Sequence, residues 1–214
     1  MISMISRHAI TPALIAPLLA ASAIAQTPAP VETPDPLCDG LERALEAANE
    51  VIPFIILVPA DQSLGSLPRL NRNPLGFQDF KHCQLYRAGN ATQGTVGGGP
   101  HNYLRCNAFS GSAAESRPEE AKLVVQQSKE TYDALATQTK ACFDLIGWTA
   151  SGGERVRHYQ DYETALTFTR EGTANDAVVR LVEDNPSPGS RSKTTFWSVD
   201  LTVRNPNPNH PKPQ

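Results

Sequence analysis

Residues Ser116 to Gly147 read SRPEEAKLVVQQSKETYDALATQTKACFDLIG, and the reading of this stretch decides the fold class. Ala121, Val124, Ser128, Tyr132, Leu135, Thr139, Cys142 and Ile146 fall on one side at helical spacing, and Val125 and Phe143 widen that stripe. Ser116 and Glu119 match a Ser-x-x-Glu capping box around Pro118, and Gly147 stands where a left-handed C-cap is wanted. The spacing predicts one long helix from Arg117 to Ile146, with Cys142 turned toward a core.

On both sides of this helix the period changes from helical to alternating. Before it, His82 to Ala88 places Cys83 and Leu85 on one face, and Tyr103 to Phe109 places Leu104, Cys106 and Ala108 on one face. After it come three strands of a meander. They are Tyr162 to Arg170 with Tyr162, Leu166 and Phe168 inward, Ala177 to Glu183 with Val179 and Leu181 inward, and Phe196 to Val203 with Trp197, Val199, Leu201 and Val203 inward. The turn-rich segments EGTAND and DNPSPGSRSK separate them.

Further toward the N-terminus, Asp35-Pro36 is a cap followed by a first-turn proline. A short helix from there carries Leu37, Leu41, Leu45, Ala48 and Ile52 on one side, with Cys38 beside the stripe and Pro53 as its end or kink. Phe54 to Val58 (FIILV) is apolar throughout and reads as a buried strand or a last helical turn. Residues 59 to 81 form a long polar loop, read as a surface crossover, with Arg69 and Arg72 as a small basic spot. The order of elements predicts an α+β domain, an antiparallel sheet of about five strands covered on one face by one long and one short helix.

The ends of the chain define the remaining segments. Arg7 precedes an apolar run from Ala9 to Ile24 that is broken by Pro12 and Pro17 and ends in Ala23-Ile24-Ala25 ahead of Gln26. That is the pattern of a secretory signal peptide over 1–25, cleaved between Ala25 and Gln26. The run is too short and too proline-broken to be a good membrane span, so no integral span is expected after cleavage. Residues 26–36 hold four prolines and read as a linker, residues 37–204 as a single disulfide-bonded domain, and 205–214, again with four prolines, as a disordered tail.

Export to the periplasm or the extracellular space makes Cys38, Cys83, Cys106 and Cys142 an even set in an oxidising compartment, hence two disulfides. Matching strand faces favour Cys83 with Cys106, which leaves Cys38 with Cys142; the alternative has Cys83 or Cys106 reaching a helix.

Composition narrows function mainly by exclusion. A formal charge of −3 without runs of one sign gives nucleic acid nothing to follow, and 7% aromatic content leaves few stacking platforms. There is no G-x-S-x-G, H-E-x-x-H, Walker loop or G-x-G-x-x-G, and no cofactor is expected. Ser190 and Lys193 match Ser-x-x-Lys but lie in a turn, and Gly97-Gly98-Gly99 precedes no helix that would supply a dipole for an anion. His82, His101 and His158 are scattered, His210 is in the tail, and zinc needs three or four converging ligands. Asn90-Ala91-Thr92 matches a glycosylation sequon.

These features predict a non-catalytic protein-binding module of the inhibitor, immunity or assembly-factor kind, whose partner is another envelope or extracellular protein. The alternative is a small secreted hydrolase with a site assembled from dispersed residues such as His101, His158 and Glu154. A free sheet edge or an exposed apolar patch would favour the binder, and convergent polar groups in a deep pocket the enzyme.

Overall fold

In the computed structural model, which describes residues 35–58, 69–70, 74–75, 80–86 and 101–207, the Asp35 carboxylate accepts a 2.9 Å hydrogen bond from the Leu37 amide. That cap and Pro36 start helix α1 (Pro36–Ala48), whose Leu37, Leu41, Ala44, Leu45 and Ala48 are buried. The described residues all belong to the unit Pro34–Gln214. The segment expected to be a signal peptide with Ala25 and Gln26, the part of the expected linker before Asp35, Arg72, Asn90-Ala91-Thr92, Gly97 to Gly99 and His210 lie outside them.

Helix α1 ends a turn earlier than its apolar stripe predicts. Asn49 terminates it, and the Asn49 side chain donates to the Leu45 carbonyl at 3.0 Å. Ile52 consequently leaves the stripe and is 45% exposed. The FIILV segment is neither a strand nor a continuation of the helix: Phe54 turns left-handed at φ 62°, its amide donates to the Ala47 carbonyl at 2.6 Å, and a 3-10 turn follows over Ile55–Leu57. A bulky side chain at positive φ is unfavourable, and here it places the Phe54 ring fully inside the core.

The sheet is antiparallel throughout and is larger than expected. Its strands are β1 (Arg69–Leu70), β2 (His82–Tyr86), β3 (His101–Ala114), β4 (Thr149–His158), β5 (Asp161–Thr169), β6 (Asp176–Asp184) and β7 (Thr194–Pro206), in the order β1-β2-β3-β7-β6-β5-β4. The five expected strands are all present. The additions are the two-residue β1 and the ten-residue β4. Strand β7 runs to Pro206 and Asn207 is buried, so ordered chain extends past the limit expected at Arg204. In β3 the register shifts between Asn107 and Phe109, a bulge that returns Phe109, opposite Val199, to the face of Cys106.

Helix α2 (Pro118–Leu145) crosses one face of this sheet and connects β3 to the far edge strand β4. The Ser116–Glu119 capping box does not form. The N-cap is Arg117, and no side chain caps it, because Pro118 takes the first helical position and displaces Ser116 outward by one residue. Glu119 pairs instead with Lys122 at 2.8 Å and Glu120 with Arg117 at 3.3 Å. At the other end Gly147 adopts φ 75° as expected and turns the chain into Trp148. The Phe143 ring then stacks on Phe168 at a centroid distance of 4.8 Å and lies tilted against Trp148 at 4.9 Å, tying the end of the helix to β5. Helix α1 packs beside α2 on the same face, and both contact β3 and β7. No helix among the described residues is long and apolar enough to cross a membrane.

The two disulfides join Cys38 to Cys142, linking the helices, and Cys83 to Cys106, directly opposite each other on β2 and β3 with Cα atoms 4.1 Å apart. These are the pairs favoured by the matching faces in the sequence.

Gly40 shows packing overriding propensity. Glycine inside a helix costs about 1 kcal/mol relative to alanine. A Cβ at this position, however, would lie 2.4 Å from the backbone of Leu75. Gly40→Ala is therefore expected to destabilise by about 1–3 kcal/mol through overpacking rather than to stabilise. A thermal melt decides the sign, and a raised midpoint would show that Leu75 does not press on the helix.

Candidate functional site

The N-terminal half of α2 is attached to the sheet differently from its C-terminal half. No residue of α2 before Ser128 is buried, whereas Ser128, Tyr132, Leu135, Thr139, Cys142 and Phe143 all are. The helix does touch the sheet early, at Gly111, where an added Cβ would meet Val124 at 2.8 Å and Phe109 at 2.9 Å. To the side of that contact the apolar stripe faces open space. A groove of about 930 Å³ runs there between Pro118, Ala121 and Val125 of α2, the end of β3 at Ala113, the β6–β7 connection at Pro186, and Trp197 of β7.

The groove is apolar at its base and basic at its rim. Lys122, Lys129 and Lys193 line it against one acid, Glu115. Lys122 is engaged by Glu119, while Lys129 and Lys193 have no acidic partner among the described residues. Trp197 is 7% exposed, and its indole Nε1 has no hydrogen-bond partner among the described residues. A buried N–H without an acceptor costs about 1–3 kcal/mol.

Val125, Lys129 and Trp197 also line a second cavity of about 380 Å³, so these three side chains form the partition between the two spaces. On the far side lie Tyr132, Tyr162 and Arg155. Burial raises the Tyr132 pKa, and the neighbouring Asp133 charge adds to the effect. The Arg155 guanidinium lies 3.6 Å from the centre of the Tyr162 ring and pairs with Glu183 at 2.9 Å.

Arg155 belongs to β4, which borders this cavity. Among the described residues β4 pairs only with β5, so its outer edge carries unpaired backbone donors and acceptors. All its residues but Ala150 are exposed. The register shifts between Gly152 and Arg155, with Gly152 and Gly153 at φ 90° and 92°. A bulge followed by charged residues restrains indiscriminate edge-to-edge pairing and leaves Arg155–His158 regular.

The open face of the sheet carries charges too, three of them in ion pairs with basic residues of the same face. Arg105 is bonded to the fully buried carboxylate of Asp200, Arg204 holds Asp176 through two contacts of 2.5 and 2.6 Å, and Arg180 approaches Glu163 at 3.7 Å. Burial alone would lower the Arg105 pKa, but the hydrogen bond and charge of Asp200 raise it above its ordinary value. Asn107 also donates to Asp200, at 3.1 Å. The cavity of about 290 Å³ over this face, lined by Arg105, Arg180 and Arg204, is thus a region of compensated charge.

The residues singled out for chemistry in the sequence do not meet. His101 is on β3 while His158 and Glu154 are on β4, four strand spacings or about 19 Å away across the sheet. Glu154 and His158 are themselves separated by about 13 Å of strand. His82 is exposed on β2. Ser190 lies in a turn, accepting from the Ser192 amide at 3.2 Å, while the Lys193 carbonyl accepts from Glu115 N–H.

The one cluster of metal-ligand type among the described residues is Asp35, Cys38 and Cys142, and its two sulfurs are consumed by their mutual disulfide. The sequence reading missed the groove. Its nearest signal was Lys122 and Lys129, seven residues apart and hence on one side of the helix, flanking Val125.

The fold and these surfaces define a disulfide-bonded α+β domain with a basic-rimmed groove along the first half of α2 and, separately, an edge strand, β4, whose outer side is unpaired among the described residues. No protein-family model matches the chain, and neither a curated protein nor a solved structure matches it.

Proposed function

We propose that this is an exported, non-catalytic protein-binding domain that takes an extended segment of another envelope or extracellular protein as an added strand on β4. The observation that carries this reading is the unpaired outer edge of β4. Strand addition uses such an edge, with main-chain hydrogen bonds supplying affinity and alternate side chains supplying specificity. Arg155 and Arg157 point to the same side of β4, beside Tyr162; Arg155 is engaged by Glu183, whereas Arg157 has no acidic partner among the described residues and so favours an acidic residue opposite it in the added strand. The two disulfides and the secretory pattern at the N-terminus support action in the periplasm or outside the cell. An inhibitor, an immunity factor or an assembly factor would each work in this way.

Two proline variants test the edge. Adjacent residues of a strand direct their N–H groups to opposite sides, so of Val156→Pro and Arg157→Pro one removes an outward donor and the other breaks the ladder to β5. Affinity capture from the producing cell's envelope is expected to recover a partner with wild type and to lose it with the variant that keeps its fold. Undiminished capture by that folded variant would place the interface elsewhere.

A further inference from the structure

We propose that the groove under the first half of α2 is a binding site for a fatty carboxylate, with the head group on Lys129 and Lys193 and the chain against Ala113, Ala121 and Val125. This site is separate from the strand edge of β4 and stands without it.

Three independent features converge on that ligand class. The space is of the size that holds small amphiphilic ligands, and apolar side chains of α2 that would otherwise belong to the core are left facing it. The charge is one-sided, since two lysines without acidic partners among the described residues face a groove with a single acid, Glu115. An anion is the complement of that rim. The third feature is Trp197 Nε1, a donor inside the partition with no acceptor among the described residues. A carboxylate has oxygens enough to accept from both a lysine and an indole.

The indole N–H is sealed from solvent, so the acceptor reaches it only when the partition opens. Lys129 is the flexible member of that partition. Drawn to the entering head group, it uncovers the indole, while the chain stays in the groove against Ala113, Ala121 and Val125. A neutral amphiphile cannot draw the lysine, and a cationic one meets the wrong charge.

Dodecanoate is the probe, titrated calorimetrically into the full exported protein and followed in parallel by the two indole signals of a proton–nitrogen correlation spectrum. One-to-one binding is expected, weakened by at least about tenfold in the Lys129→Gln/Lys193→Gln double variant, as loss of charge-assisted hydrogen bonds requires. Lys140→Gln, farther along α2 where Lys140 pairs with Asp144 at 2.5 Å, is expected to bind as wild type. The indole signal absent from Trp197→Phe should move downfield while that of Trp148 stays. Binding that ignores the lysine pair, equal binding of dodecyltrimethylammonium, or an unmoved Trp197 signal would overturn the assignment. So would sedimentation with anionic vesicles in place of dodecanoate binding, which would assign the basic rim to a lipid surface.

Discussion

Replacing Cys38 and Cys142 together by alanine is expected to lower stability by about 4–5 kcal/mol, the largest effect of any change considered, because this bond closes a loop with a sequence separation of 104. It also joins two elements that little else ties covalently or by ladder hydrogen bonds. Helix α1 is held to the sheet side by its buried leucines and by Asn49, which accepts from Asn175 at 2.8 Å. Cys83–Cys106, in contrast, closes a separation of 23 inside strands already paired residue by residue, and its loss is expected to cost about 3 kcal/mol. For a domain of this size the first change should lower the melting temperature by roughly 10–15 °C. Calorimetry of the two double-alanine variants gives the ranking. A Cys38/Cys142 variant melting near wild type would mean that α1 docks without its staple.

Arg105→Ala carries the second large effect. Asp200 has a side chain only 1% exposed, and without Arg105 its charge keeps, among the described residues, the neutral donors Asn107 at 3.1 Å and Ser198 at 3.4 Å. A buried carboxylate stripped of its counter-charge is expected to cost about 3 kcal/mol or more. The reverse deletion is milder. In Asp200→Ala the arginine side chain, already 36% exposed, can turn to water. Denaturant melts should therefore find Arg105→Ala less stable than Asp200→Ala, and the double variant more stable than Arg105→Ala alone. Equal losses in the two single variants would show that solvent reaches Asp200.

What could be read from the sequence follows from which residues bury a face. The meander strands alternate because one side of each meets the helices, so Val179, Val199, Leu201 and Val203 mark their own register. Strand β4 escapes this logic. TASGGERVRH is exposed along nearly its whole length, its two glycines make a bulge, and an edge exposed on both sides needs no alternation. The bulge beyond Asn107 was equally silent, since one inserted residue changes which side Phe109 takes without changing composition. The stripe of α2 was legible as a stripe, but periodicity records a face and not what that face touches. Leu135 is buried against the core while Val125, in the same pattern, looks into a groove. That groove draws its walls from α2, β3, β7 and the β6–β7 connection, segments that only the folded chain brings together.

The Cys83–Cys106 pairing was legible for the opposite reason. Both residues sit on the buried face of short alternating strands, where register allows few partners. Those bonds hold the fold together and carry none of its proposed action. All four cysteines are joined in disulfides, and the free surfaces of interest lie away from them, at the first half of α2 and along β4.

Amide hydrogen exchange on the disulfide-bonded protein, alone and with its captured partner, tests the strand-addition account most directly. In the free protein the amides of β4 that point away from β5 should exchange rapidly, while their alternate neighbours, bonded to β5, exchange slowly. With partner bound, the outward amides of Arg155–His158 are predicted to become as slow as the inward set. Unchanged exchange along β4 in a complex that protects another surface would contradict the account.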